Sequence, residues 1–188
     1  MDIRERQFSA ADVQKAAQVA PATLQNWLKR GVVVGQRAED IGGGGVQGSH
    51  RRFSFYAVMQ ISIAQALLNV GMSDLKAAFK AAMHFAHSGY APTGYAGRDR
   101  SEDEYREVGM PFHFASGRTL LATNGGHTTV LLEAAGQDIL AVIRRRILLP
   151  NGSDGFVLLD AGAVFDRVCG SLGEHPNVVM DQSYGRSS

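Results

Sequence analysis

The sequence predicts an α+β protein in two parts, a mostly helical N-terminal half with a small β excursion and a smaller mixed α+β module behind it. Three observations carry that prediction. Two short helical patterns, at residues 9–17 and 21–30, precede a glycine-rich excursion. Two strongly apolar helical runs, at 56–70 and 75–85, follow it. From Thr119 onward, short β-prone runs alternate with turn signals. At 188 residues and 45% hydrophobic content the chain can bury the core of one domain or of two small ones.

The first helix starts at Ser9, a side chain suited to capping exposed backbone N–H groups, and Val13, Ala16 and Ala17 recur on one face. Pro21 suits the first position of a second helix, because the N–H it lacks would be unbonded there. In that helix, 21–30, Leu24, Trp27 and Leu28 point inward, which leaves Ala22, Thr23, Gln25, Asn26 and Lys29 for solvent or a partner. Gly31 supplies the permissive stop. Val32, Val33 and Val34 predict a first strand, paired with residues 52–55 across a loop at 37–49 that holds four consecutive glycines, 42–45. This order of elements predicts a winged helix-turn-helix, with the wing at 32–55.

The apolar run 56–70, interrupted chiefly by Gln60, Gln65 and Asn69, predicts a central buried helix ended by Gly71. Ser73 is the expected cap of the next helix, whose apolar stripe is Leu75, Ala78, Phe79, Ala82, Met83 and Phe85. Gly89, Pro92, Gly94 and Gly97 then break the pattern, so 89–118 is expected to be a linker or long loop. Residues 119–175 form the second module, with β-prone runs at 120–121, 128–132, 139–149 and 156–159. Hairpin turns are expected at Asn124-Gly125-Gly126 and around Asn151-Gly152 and Asp154-Gly155. Arg144, Arg145 and Arg146 fit either a strand edge or a helix. Asp160 caps a closing helix through Val164, Val168 and Leu172, and 176–188 is a tail. The module's expected tasks are self-association or sensing. A fragment ending near Gly89 is expected to fold alone.

The run Phe8-Ser9-Ala10-Ala11-Asp12-Val13, then Pro21-Ala22-Thr23-Leu24-Gln25-Asn26-Trp27, then Arg30-Gly31-Val32-Val33, resembles the MerR family of DNA-binding regulators. The resemblance continues through Arg51-Arg52-Phe53-Ser54 at the wing exit and Tyr56-Ala57-Val58 at the start of the next helix, and covers roughly residues 7–88, within a DNA-binding domain expected over 1–88. It implies a DNA-binding domain. Two features differ from the family: Gln25 and Asn26 stand where it often has an arginine and a tyrosine, and its long dimerisation helix is interrupted here by the glycines and proline after position 88.

Charge distribution agrees with such a front half. Residues 1–90 carry a net +4 and residues 91–188 a net −3, within an overall +1. That asymmetry suits a molecule whose front meets phosphate. The single Cys169 excludes an internal disulfide. No apolar run reaches the ~18 residues that a bilayer crossing needs, and the first residues do not lead into a signal peptide, so a cytoplasmic protein is expected.

The chemistry expected of these residues is duplex recognition. Thr23, Gln25 and Asn26, with Ala22 beside them, would meet base edges in the major groove, where Gln or Asn can bond adenine at two points. Lys29, Arg30, Arg51 and Arg52, with His50, would meet the backbone and set register without reading sequence. No enzyme is expected. His84 and His87 lack a third ligand at matching spacing, and the four glycines lack the Lys-Ser or Lys-Thr of a phosphate loop. Neither metal nor cofactor is anticipated. The predicted function is sequence-specific transcriptional regulation by a homodimer on double-stranded DNA, with RNA polymerase or a small-molecule effector as possible further partners. An architectural factor of the excisionase type, or a protein-interaction adaptor with a repurposed winged fold, is the alternative.

Overall fold

The computed structural model describes residues 2–36, 51–90, 105–149 and 152–185. It is an α+β protein. Within the described residues a short turn of 3-10 helix, Ile3–Glu5, leads into β1 (Gln7–Phe8), followed by α1 (Ala10–Ala17) and α2 (Pro21–Lys29). Beyond them lie β2 (Phe53–Ser54), α3 (Phe55–Asn69) and α4 (Leu75–Ala86). The rear half adds β3 (Arg118–Thr123), β4 (Thr128–Glu133), α5 (Ile139–Ile143), β5 (Val157–Asp160), α6 (Ala161–Ser171) and α7 (Pro176–Ser183).

Local signals place the front helices. Ser9 and Asp12 form a reciprocal capping box at the start of α1, which ends on Gln18 in the left-handed conformation. Pro21 opens α2, and Leu24, Trp27 and Leu28 are its buried face. Gly31, at φ +61°, turns the chain out of the helix in a conformation that disfavours any Cβ. Trp27 meets Phe79 of α4 edge-on, ring centroids 5.1 Å apart. The central helix α3 is buried along most of its length, as its apolar run predicts. α4 is capped by Asp74, whose Oδ1 accepts from the N–H of Lys76 and Ala77, rather than by Ser73. A carboxylate at a helix start also faces the positive end of the helix dipole, which a hydroxyl exploits less.

The hairpin expected at 32–55 is not formed by its described residues. Residues 32–34 are not a strand, and Phe53–Ser54 pairs instead with β1, in the register Gln7 to Ser54 and Phe8 to Phe53. Val33 is wholly buried, and the Val34 N–H donates to Gln60 Oε1 at 3.0 Å, so a buried side chain takes the place of a strand partner. Gln36 Nε2 donates to the Arg52 carbonyl at 2.9 Å and ties the two roots of the loop together. His50 and the glycines 42–45 lie outside the described residues.

The expected linker is more than a connector at its C-terminal end. Tyr90 and Arg106 form an antiparallel bridge, and Arg106, Met110 and Phe112 are buried. The Arg106 guanidinium sits at the C-terminal end of α4. Nη1 donates to the carbonyls of Phe85 (3.1 Å) and Met110 (2.9 Å), and Nη2 donates to those of His84 (3.3 Å) and Ser88. The rings of Phe85 and Tyr90 lie 5.0 and 5.2 Å from its central carbon. Carbonyls left open at a helix end thus receive one buried cation.

The rear sheet has the order β4-β3-β5, all antiparallel. The hairpin between β3 and β4 turns at Asn124-Gly125-Gly126, as expected, with Asn124 Oδ1 accepting from the N–H of Gly126 and His127. Residues 139–149, expected as a β-prone run, are helical: α5 continues into a π-helical turn, Arg144–Leu148. The second expected hairpin is absent among the described residues, since β5 pairs with β3 across the sheet. Thr119–Thr123 are buried in succession because both faces are covered. Leu121 and Val130 join the main core, while Leu120, Ala122 and Leu131 pack with Ile143 and Ile147. Asp160 caps α6 as predicted. Residues 176–183, expected as a tail, are helix α7, anchored by Val179 and Met180. The main core is continuous from Ile3 to Met180, with Phe55 edge-on to Phe165 at 6.3 Å. No helix among the described residues is long and apolar enough to cross a membrane.

Candidate nucleic-acid interface

On α2 the burial pattern separates a packed face from an open one. Ala22, Gln25, Asn26, Lys29 and Arg30 are exposed and Thr23 is half-buried. Within the described residues none of these side chains is engaged in a hydrogen bond or ion pair. Four hydrogen-bonding side chains, Gln25, Asn26, Lys29 and Arg30, therefore stand on a short rigid helix held from behind by Leu24, Trp27 and Leu28. Such a helix can meet a polar partner without first breaking internal bonds.

Arg51 and Arg52, which lead into β2, lie near the start of α1, because β2 pairs with β1. Arg51 is half-buried, with Nη1 donating to the Gln36 carbonyl at 3.4 Å, and Arg52 is exposed. The Asp12 carboxyl is held below the usual carboxylate range, first by hydrogen bonds from the Ser9 N–H and hydroxyl, then by the charges of Arg52 and Arg6. Arg6 itself lies 5.3 Å over the Phe8 ring. Arg51 and Arg52 thus stand where β1 and β2 pair, beside the N-terminus of α1, while Arg6, at the other end of that pairing, is tied to Glu174 by an ion pair. Arg6 escaped sequence reasoning because its neighbourhood depends on that pairing.

Two more cations escaped it. Lys76 and Lys80, one turn apart on α4, line a groove of about 810 Å³ with Arg30 at the end of α2. Their i, i+4 spacing was visible, but nothing local says that this face borders α2.

The rear half holds a second cavity, about 750 Å³, between the sheet, α6 and α7, with Phe112, Phe114 and Phe165 among its walls. Its charged groups are Arg118, Glu133, Asp160 and Asp166. Arg118 Nη2 reaches Glu133 at 2.5 Å, and Nη1 lies 4.0 Å from Asp160. Burial, then the nearby Asp160, raises the Asp166 carboxyl above its ordinary range. Gly117 permits the close approach of strands at the mouth: at φ +138°, a Cβ there would stand 2.3 Å from the Glu133 carbonyl oxygen. The parts of this cavity come from sequence positions more than sixty residues apart, so no motif announces it.

Nucleophilic chemistry finds little support among the described residues. Cys169 is buried, and burial pushes its thiol up to about 12. His113 has both ring nitrogens engaged, Nε2 at 3.2 Å from Asp181 and Nδ1 accepting from the Ala115 N–H. No three His, Cys, Asp or Glu side chains among the described residues are grouped to hold a metal ion. No protein-family model matches the chain, and no curated protein matches it closely enough to count as a relative.

Proposed function

We propose that the protein is a sequence-specific DNA-binding regulator of transcription, with the 21–30 helix in the major groove and the 32–55 wing on the backbone. The observation that carries this reading is the open face of α2. Gln25, Asn26, Lys29 and Arg30 are exposed and without partners among the described residues, on a helix whose other face is buried. Major-groove recognition asks for that combination, because base edges reward polar side chains whose position is already paid for by packing. Arg51 and Arg52 supply adjoining positive charge for phosphates, whereas Arg6 is held in an ion pair with Glu174. A homodimer, working in the cytoplasm on two half-sites, completes the proposal, since one small helix-turn-helix offers a limited interface.

The experiment is fluorescence anisotropy against a randomised duplex pool at two salt concentrations, with sequencing of the retained fraction. Enrichment of an inverted repeat is expected. Gln25→Ala should cost about 1–3 kcal/mol on the enriched site and little on random duplex. Arg51 and Arg52 replaced together by Ala should weaken binding to every duplex and flatten the salt dependence by about one or two units of slope. Salt-sensitive binding without enrichment would favour an architectural factor, and absence of binding an interaction adaptor.

The rear cavity supports a second element of the reading, a small-molecule effector. Phe165 in its wall touches Phe55, the first residue of α3, and Arg167 on the same helix donates to the Ala16 carbonyl at the end of α1. A ligand that moved α6 would therefore press on the helix-turn-helix directly.

A further inference from the structure

We propose that the duplex-binding surface continues past the recognition helix, across α4 to the arginine turn at residues 144–146, as a track for one DNA backbone. The inference rests on the reading of the protein as a DNA binder and extends it to residues on α4 and in the rear module. The track begins at Arg30, the residue that ends α2, and enters the groove lined by Lys76 and Lys80. Alongside these cations the groove presents apolar side chains to solvent: Val34 is 41% and Met83 39% exposed. A nucleic-acid backbone alternates anionic phosphate with less polar sugar, so a groove that offers both cations and exposed apolar groups complements it, whereas a free anion has no use for the apolar part. The one polar side chain in the floor, Gln60, is spent on internal bonds, its Oε1 accepting from Val34 N–H and its Nε2 donating to the Phe79 carbonyl. It does not compete for the phosphates.

From Lys76 the surface passes directly to the rear module. A Cβ placed at Gly125, in the turn between β3 and β4, would lie 3.9 Å from Ala77 Cβ and 4.0 Å from Met72 Cε, so that turn rests on the start of α4. Its neighbour Asn124 donates through Nδ2 to the Ile147 carbonyl at 3.2 Å, which fastens the π-helical turn to the same place. Ile143 and Ile147 are wholly buried on either side of Arg144, Arg145 and Arg146, and hold all three arginines outward. None of the three has a hydrogen bond or ion pair within the described residues. The nearest carboxylates along the chain, Asp74 and Asp138, are engaged in capping α4 and α5. Arg30, Lys76 and Lys80 share the groove, and the turn at Asn124 and Gly125 joins the start of α4 to the π-helical turn that carries the three arginines. Continuity with α2 favours a duplex over an acidic protein as the occupant.

The test uses the full-length protein and a ladder of random-sequence duplexes of increasing length, reading the slope of log affinity against log salt. Wild-type protein should show a slope that steepens with duplex length before reaching a plateau. Lys76→Ala with Lys80→Ala should flatten it by about 0.9 per lost phosphate contact at every length that reaches the groove, and Lys76→Arg with Lys80→Arg should restore it. Arg144, Arg145 and Arg146 replaced together by Ala should leave short duplexes unaffected and lower the plateau reached by long ones. Slopes equal to wild type in both Ala variants, with wild-type binding intact, would overturn the track and leave the recognition-helix reading standing. Failure of wild-type protein to bind any duplex would overturn both. Tighter binding of the arginine turn to polyglutamate than to duplex, lost in the triple variant, would also overturn the track and assign the surface to an acidic protein.

Discussion

Arg30 and Arg106 both stand at the C-terminal end of a helix, yet the chain uses them in opposite ways. Arg30 ends α2 in solvent with its guanidinium free of partners among the described residues, while Arg106 is 1% exposed and spends its terminal nitrogens on carbonyls around the end of α4. The same side chain is thus offered outward in the front unit and consumed inward at the junction with the rear half. The difference lies in what each position must satisfy. A buried helix end needs donors for its open carbonyls, and a guanidinium can supply several from one residue. An exposed helix end has water for that purpose, which leaves its cation available to a partner. Spent donors therefore identify architecture, and unspent ones identify the candidate interface.

The largest effect that tests this contrast comes from removing the rear half altogether. A fragment ending at Gly89 loses Phe165 from Phe55, Arg106 from the end of α4 and Arg167 from Ala16. It should lack a cooperative unfolding transition in urea and bind a hydrophobic dye. A cooperatively folded fragment would break the account of one shared core and restore the front half as an independent unit. Next in size is Arg106→Met, which keeps bulk but leaves buried carbonyls without donors and should cost about 3 kcal/mol or more in urea denaturation. A loss below about 1 kcal/mol would mean that water replaces the guanidinium at little cost. Affinity for duplex, referred to the folded fraction, should not change.

A smaller effect concerns pH. Burial lowers the pKa of His87, whose Nε2 lies 3.4 Å from Gln60 Oε1 under the groove. Its folded form therefore binds a proton less readily than its unfolded form, whose pKa is the ordinary 6.5. The stability it supports is full above that pH and is lost as pH falls through it toward the lower folded value. Chemical denaturation midpoints should drop between pH 8 and pH 5 and drop less in His87→Gln. An identical pH dependence in both proteins would remove His87 as the cause. Smallest of all, the Cys169 thiol should react with a disulfide reagent only as the protein unfolds, given its burial and raised pKa. Rapid reaction in the native state would show that α6 opens readily, and so would sharpen the link between the cavity and α1.

How much of this was legible follows from the range of the interactions involved. Ser9, Pro21, Gly31 and Asp160 mark helix ends with groups that act within one turn, and each stands where local chemistry places it. The open and packed faces of α2 follow from a repeat of 3.6 residues, so Gln25, Asn26, Lys29 and Arg30 could be named from sequence. The wing strand failed for the opposite reason. Three consecutive valines have high β propensity, but Gln60 on α3 supplies the hydrogen bond that a strand would have made, and β1 takes the place assigned to them. Likewise residues 139–149 carry β-branched side chains yet wind as a helix, because Ile143 and Ile147 then reach the same patch of the sheet.

By itself the sequence determined the α+β class, the helices of the front unit, the hairpin at Asn124-Gly125-Gly126 and the polar face of α2, all of which arise from neighbours a few residues apart. Only the tertiary structure decided the pairing of β1 with β2, the burial of Arg106, the grouping of Arg30 with Lys76 and Lys80, and the cavity between the sheet, α6 and α7. Each of these joins residues far apart in the chain, and no local propensity carries the energy that decides among such long-range alternatives.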